Sequence, residues 1–551
     1  MRPSRPNLPV LLAALLLPAL APAMRAETAI RADELLQHTR VLASDEFEGR
    51  APGSAGEEKT VAYLVDRFRS FGLKPGGPGG SWTQDVPIVG TRSEVAFRLD
   101  DESLGRPQDF VAWSGEAGPT VEVPATDLVF VGYGVSAPEF GWDDFKGVDV
   151  RGKTVVILVG DPPVPVEGKP DQLDPKVFKG TAMTYYGRWT YKFEEAGRRG
   201  AAAALIIHET KPAAYPWFVV VNSWGREHFD LEGDPTPRPR VSGWISLERA
   251  RKILESNGTT YETMKAAAVR RDFRPVPLRE KPSFRVQQTR RPVKSRNVLA
   301  LLEGRDARRK DEWVVYSSHW DHLGRDPKLP GDGIFNGAVD NAIGTAGLLE
   351  LAECFAGSKP KPDRSILFLS VTAEEQGLLG SAFYAANPVH PLRKTVANIN
   401  IDGLNQWGRT RDVQVIGAGS SSLEDVLLRE VRRQGRVVVP EAHPERGSFY
   451  RSDHFEFMKR GVPALYAKAG NDYVGKPAGY GEGKVNEFID KDYHKVSDEV
   501  KPDWDLTGAV EDLELLRRVG KTVADRYRWP EWRAGSEFQA AREADLKGTV
   551  R

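Results

Sequence analysis

At 551 residues the chain is longer than one hydrophobic core ordinarily organises, so at least two domains are expected. Charged side chains make up 28% of it, and 77 basic residues cancel 77 acidic ones, so no net field exists to draw in nucleic acid, an anionic membrane or an acidic partner. A small molecule or a peptide is the partner left.

The first residues carry Arg2 and Arg5, an apolar run over 10–20, then Ala21-Pro22-Ala23 and Ala26 ahead of the polar Glu27. That is the order of a secretory signal peptide, assigned to residues 1–26; it predicts export to the periplasm or beyond, with no membrane span after cleavage. A membrane anchor is the competing reading. The run, however, holds roughly a dozen apolar residues where about 20 are needed to span a bilayer, and Pro18 interrupts it. Cys354 is the only cysteine, which excludes an intramolecular disulfide; its place in a helical pattern over 346–355 suits a small, buried apolar role.

The spacing predicts helices over 32–42 and 57–71, the second with Val61, Leu64, Val65 and Phe68 on one face and a stop at Gly72. The connector that runs from Asp45 to Gly53 reads as a solvated, turn-rich loop. These belong to the first part of a main domain, residues 27–118. Over 119–282 the character changes to short β-rich runs, at 128–133, 154–159 and 203–207, between Pro and Gly clusters, and an inserted domain is expected there. His208-Glu209 opens like a zinc helix, but Pro212 stands where the second histidine would be. From 283 to 551 strands and helices alternate, with near-continuous apolar strands at 298–302, 313–318, 366–371, 397–401, 413–416 and 463–467. The expected fold is therefore α/β, a mainly parallel mixed sheet with helices on both faces, plus the β-rich insert.

In such folds ligands bind at the carboxyl ends of the strands. The run 313–318 leads into His319-Trp320-Asp321-His322, the run 366–371 into Thr372-Ala373-Glu374-Glu375, and the run 397–401 into Asp402, while Asp340 sits just before the helix that begins near Gly344. Imidazole and carboxylate together suit zinc. Two ions sharing a carboxylate would brace an attacking water, and a base would still be needed to take its proton, so adjacent glutamates have two distinct tasks. Asp321, two residues beyond His319, is spaced to accept that ring's N–H, or is simply solvated.

The stretches His319-Trp-Asp321-His-Leu-Gly, Gly337-Ala-Val-Asp340-Asn-Ala-Ile-Gly344, Thr372-Ala-Glu374-Glu375-Gln-Gly-Leu-Leu-Gly380-Ser381, Asn400-Ile-Asp402 and Tyr493-His494 resemble the ordered motifs of the M28 family of zinc peptidases. Leu42 to Arg50 shares the likeness, and the insert resembles a protease-associated domain. The resemblance implies that His319 and Asp402 hold one Zn2+, Glu375 and His494 the other, and that Asp340 bridges the two. It further implies that Asp321 orients His319, that Glu374 is the general base, and that a cis peptide follows Asp340. His454, in Ser452-Asp453-His454, competes with His494 for the last ligand position; otherwise it lines the pocket or packs. His322 is expected to support the ligands or the fold. Tyr450 either stabilises an oxyanion or packs with other aromatic side chains.

The activity expected is that of an aminopeptidase acting on peptides with a free N-terminus. Carboxypeptidase or dipeptidase action on small acidic peptides is the alternative, and its mark would be arginines clustered for a terminal carboxylate. A single-zinc, glutaminyl-cyclase-like acyltransferase would lack the full ligand set, and a non-catalytic binding protein would have lost ligands or the base. Side-chain preference and oligomeric state are not legible.

Overall fold

The structure is a computed structural model that describes residues 29–547; the segment read as a signal peptide lies outside them. A mixed sheet of 12 strands runs through the molecule, and its centre is four parallel strands in the order Ser365–Val371, Trp313–His319, Thr395–Asn400, Ala464–Ala469. All but the last are buried along their whole length, as apolar strands covered on both faces must be. Helix Ile343–Gly357 crosses one face and is apolar on nearly every side, because Ala32–Leu42 and Thr507–Asp525 pack around it in the same core. The helices predicted over 32–42 and 57–71 fall within two residues of those observed at Ala32–Leu42 and Ala55–Ser70.

One flank departs from the expected strand pattern. The run at 298–302 is only the end of a strand of 21 residues, Pro282–Leu302, which pairs antiparallel with Thr83–Leu99 along its length. Much of that strand pair, including Gln287, Thr289 and Arg291, is polar and alternates between buried and exposed positions. Its period of two carries the strand signal where hydrophobicity does not.

A second sheet of six strands spans Phe110–Trp113 to Val276–Leu278, with an apolar cluster on each face. Two strands from the same stretch, Thr120–Val123 and His228–Leu231, instead join the large sheet. The insert is therefore stitched into the main sheet at two places.

His208 ends the strand Ala203–His208 and donates from Nε2 to the Tyr215 carbonyl at 3.0 Å. Burial pushes its pKa down to about 4. The unfolded chain binds a proton at this ring near pH 6.5, so stability from neutral His208 is present above that pH and is lost as pH falls toward 4. Denaturant unfolding at pH 7 and pH 5 should differ by about 1–2 kcal/mol through this residue alone. His208→Gln should shrink the difference by that amount.

Candidate metal centre

His319 is the last residue of the middle one of three adjacent strands, and the chain leaves the strands on either side through Glu374-Glu375 and through Asp402. This adjacency is what gathers side chains 83 positions apart. His319 Nε2 lies 3.4 Å from Asp340 Oδ1, 3.6 Å from Asp402 Oδ1 and 3.9 Å from Glu374 Oε2. His494 Nε2 lies 3.3 Å from Asp340 Oδ2 and 3.0 Å from Glu375 Oε2. Asp340 thus turns one oxygen to each imidazole, and the Asp340–Asn341 peptide is cis. His319, Asp340 and Asp402 form one group with metal-ligand spacing, while Asp340 and Glu375 form another with His322.

The surroundings hold these groups in place. Asp498 accepts the backbone N–H groups of Val339 at 3.0 Å and Asp340 at 3.1 Å. His322 Nδ1 stands 2.5 Å from Glu375 Oε1, which leaves Oε2 facing His494. Arg50, 1% exposed, donates to the carbonyls of Leu42, Trp320, Asn336 and Gly337. The connector expected to be a solvated loop is therefore, at Arg50, a buried brace under the strand end and the Asp340 segment. That is a correction, and its cause is the set of four carbonyls that the guanidinium satisfies.

Asp321 also differs from expectation. The ring Nδ1 of His319 faces the Asp321 backbone carbonyl at 3.2 Å, with the carboxylate 3.8 Å away. That carboxylate instead accepts the N–H of Glu374 at 3.0 Å and of Glu375 at 3.4 Å, so it fixes the turn carrying both glutamates. Tyr450 and His454 sit among aromatic side chains. The Tyr450 ring packs with Phe449, Phe455 and Tyr185, and His454 lies against Phe449 and Tyr466 with neither nitrogen bonded. Neither lines the cavity described below, so their expected substrate contacts are corrected to packing. Burial pushes His454 down to about 3, which keeps the ring neutral.

Asp340, Glu374 and Asp402 open onto a cavity of about 320 Å³, which Tyr466, Arg446 and Arg451 also line. The Tyr466 hydroxyl donates to the Asp402 carbonyl at 3.1 Å. Sequence reading missed Tyr466 although it stands on the fourth parallel strand, paired with Asn400 two residues before Asp402. Asp498 was equally within reach, at the end of the Tyr493-His494 motif.

The centre is short of positive charge. Burial pushes Asp321 and Asp498 up to about 7, and burial with the neighbouring Asp402 and Glu375 raises Glu374 well above the usual carboxylate range. Burial opposes charge on Asp340 too, yet the two imidazoles hold it well below that range. His494 is lowered by burial but lifted to about 9 by Glu375 and Asp340. Even so, Nε2 of both His319 and His494 is buried without a hydrogen bond. Bare imidazole nitrogens facing crowded carboxylates are the donor set that divalent zinc satisfies.

A mixed sheet bearing such a centre at the carboxyl ends of its parallel strands defines a zinc-exopeptidase-like α/β protein. Residues 297–516 match the model of Peptidase family M28. Over 113 residues it is 37% identical to the aminopeptidase NAALADL1 of Mus musculus, covering 20% of this chain and 13% of that protein. Over 160 residues it is 31% identical to the probable glutamate carboxypeptidase VP8 of Zea mays, covering 28% and 20%. The chain therefore spans a fifth or less of these two relatives' lengths. In fold it is similar to the aminopeptidase from Aneurinibacillus sp. strain AM-1, with a TM-score of 0.51 at 20% identity over 90% of this chain and 94% of that one.

Proposed function

We propose that the chain is an exported aminopeptidase that works with two zinc ions. The observation that carries this reading is Asp340, whose two oxygens are divided between the Nε2 atoms of two imidazoles, neither of them hydrogen-bonded, while Glu374 stands beside them on the cavity wall. In this reading His319 and Asp402 hold one ion, His494 and Glu375 the other, and Asp340 serves both. Bound there, the ions would supply Lewis acidity and ease the deprotonation of water. Glu374 receives the proton from the attacking water and returns it to the leaving amine, a role that suits a buried carboxyl whose pKa is raised well above the usual carboxylate range. Tyr466 steadies the Asp402 turn. Export rests on the pattern of residues 1–26.

Purified protein should contain two zinc ions per chain and cleave aminoacyl chromogenic amides, leaving N-blocked peptides intact. Blocked and free peptides cleaved at equal rates would end the exopeptidase reading. A second reading has its own observation. Arg451 and Arg446 line the cavity, and their guanidinium groups donate to the Tyr493 hydroxyl at 3.1 Å and to Asn486 Oδ1 at 2.9 Å rather than to a carboxylate. Guanidinium groups of this kind suit a carboxylate-bearing substrate, and carboxypeptidase or dipeptidase action on small acidic peptides is what they would serve. Acidic dipeptides in the same panel separate the two: preference for them, lost in Arg451→Gln, would replace the aminopeptidase reading. The intact ligand set and Glu374 argue against a single-zinc acyltransferase and against a purely binding role.

A further inference from the structure

His494 stands after the end of the helix Tyr480–Lys491 in a left-handed conformation, φ 56°, with the neighbouring Tyr493 ring 4.0 Å from its imidazole. The hydrogen bonds at its ring Nδ1 and its carbonyl come from the insert. Ser223 Oγ lies 2.9 Å from His494 Nδ1, both buried, and Asn222 Nδ2 donates to the His494 carbonyl at 2.8 Å. Both belong to the helix Trp217–Trp224. The flanking residues rest on the same element: the Lys495 ammonium lies 3.8 Å over the Phe218 ring, and Tyr493 packs against the apolar cluster that contains Val219 and Val220. That helix is itself anchored, because the strand that follows it, His228–Leu231, pairs with Thr83–Leu99 of the large sheet.

We propose that Ser223 and Asn222 are positioning residues through which the insert sets the zinc affinity of one of the two metal positions. The inference rests on the two-zinc reading above. A metal ion held at Nε2 would require the neutral ring with its proton on Nδ1, where Ser223 Oγ stands to accept it, and Nε2 is the atom facing Asp340 and Glu375. The Asn222 bond pins the backbone, so ring and main chain are both fixed from outside the peptidase segment. His319 is oriented differently, by the carbonyl of Asp321 within its own loop. Loss of Ser223 should consequently weaken one ion and spare the other. This asymmetry distinguishes positioning from general damage to the fold.

The test is a zinc titration of the full-length, chelator-stripped protein against a chromophoric chelator. Wild type should bind two ions. Ser223→Ala should bind one with unchanged affinity and the other about 10- to 100-fold more weakly, the usual cost of removing such a support. Ser223→Thr, which keeps the hydroxyl, should restore the second ion. Asn222→Ala carries the same test if Ser223→Ala does not fold. Wild-type titration curves for the alanine variants, or equal weakening of both ions, would overturn the inference alone. Wild type binding fewer than two ions would overturn the two-zinc reading and the inference with it.

Discussion

Glu374→Gln is expected to lower kcat by about 10²- to 10⁴-fold while zinc content stays at the wild-type level. The substitution preserves shape and removes only the ability to take up a proton. Glu374 does not have the two close carboxylate-to-imidazole approaches of Asp340; its nearest imidazole nitrogen is 3.9 Å away. The backbone bond from its N–H to Asp321 survives, so the turn that carries Glu375 should stay in place. Steady-state rates on an aminoacyl amide, with metal analysis of the same preparation, separate the outcomes. Unchanged kcat would remove Glu374 from the chemistry, and lost zinc would make it a ligand instead.

The second large effect is on stability. Arg50→Ala should destabilise the metal-free protein by about 3–5 kcal/mol, a large part of the roughly 5–15 kcal/mol that holds a domain folded. Burial pushes the Arg50 pKa down to about 10, against the pull of Asp321, Asp498, Asp340 and Glu375. Truncation takes a donor from four buried carbonyls, of which Gly337 keeps the bond from the Ala342 N–H, and removes a cation from an acidic centre. Arg50→Lys keeps the charge but cannot span the same four acceptors, so its loss should be intermediate. Chemical denaturation followed by tryptophan fluorescence measures both. A midpoint for Arg50→Ala equal to wild type would show that the carbonyls find water and that the brace is dispensable.

The parts of the centre legible in the sequence are those that local pattern carries. An apolar run ends and a ligand-type residue follows, at His319, at Glu374-Glu375 and at Asp402, and any fold that makes those runs neighbouring parallel strands gathers these residues. The pairing of Thr83–Leu99 with Pro282–Leu302 was harder to read because many of its exposed positions are polar and its strength lies in pairing between distant segments. Tyr450 and His454 show the opposite failure: their residue types suit catalysis, but a hydrophobic cluster formed from several elements draws both rings inward.

By itself the sequence determined the α/β class and the identities of the ligand-type side chains that follow its apolar runs. Local periodicity and residue chemistry act within a few positions, and they suffice for that. Tertiary structure decided which partner each of those side chains meets: the Asp321 carbonyl rather than its carboxylate for His319, Ser223 for His494 across 271 positions, and Arg50 for the Trp320 carbonyl across 270. Such pairings are settled by burial. A polar group taken out of water must find a partner wherever the packed chain provides one, and no spacing along the sequence encodes where that will be.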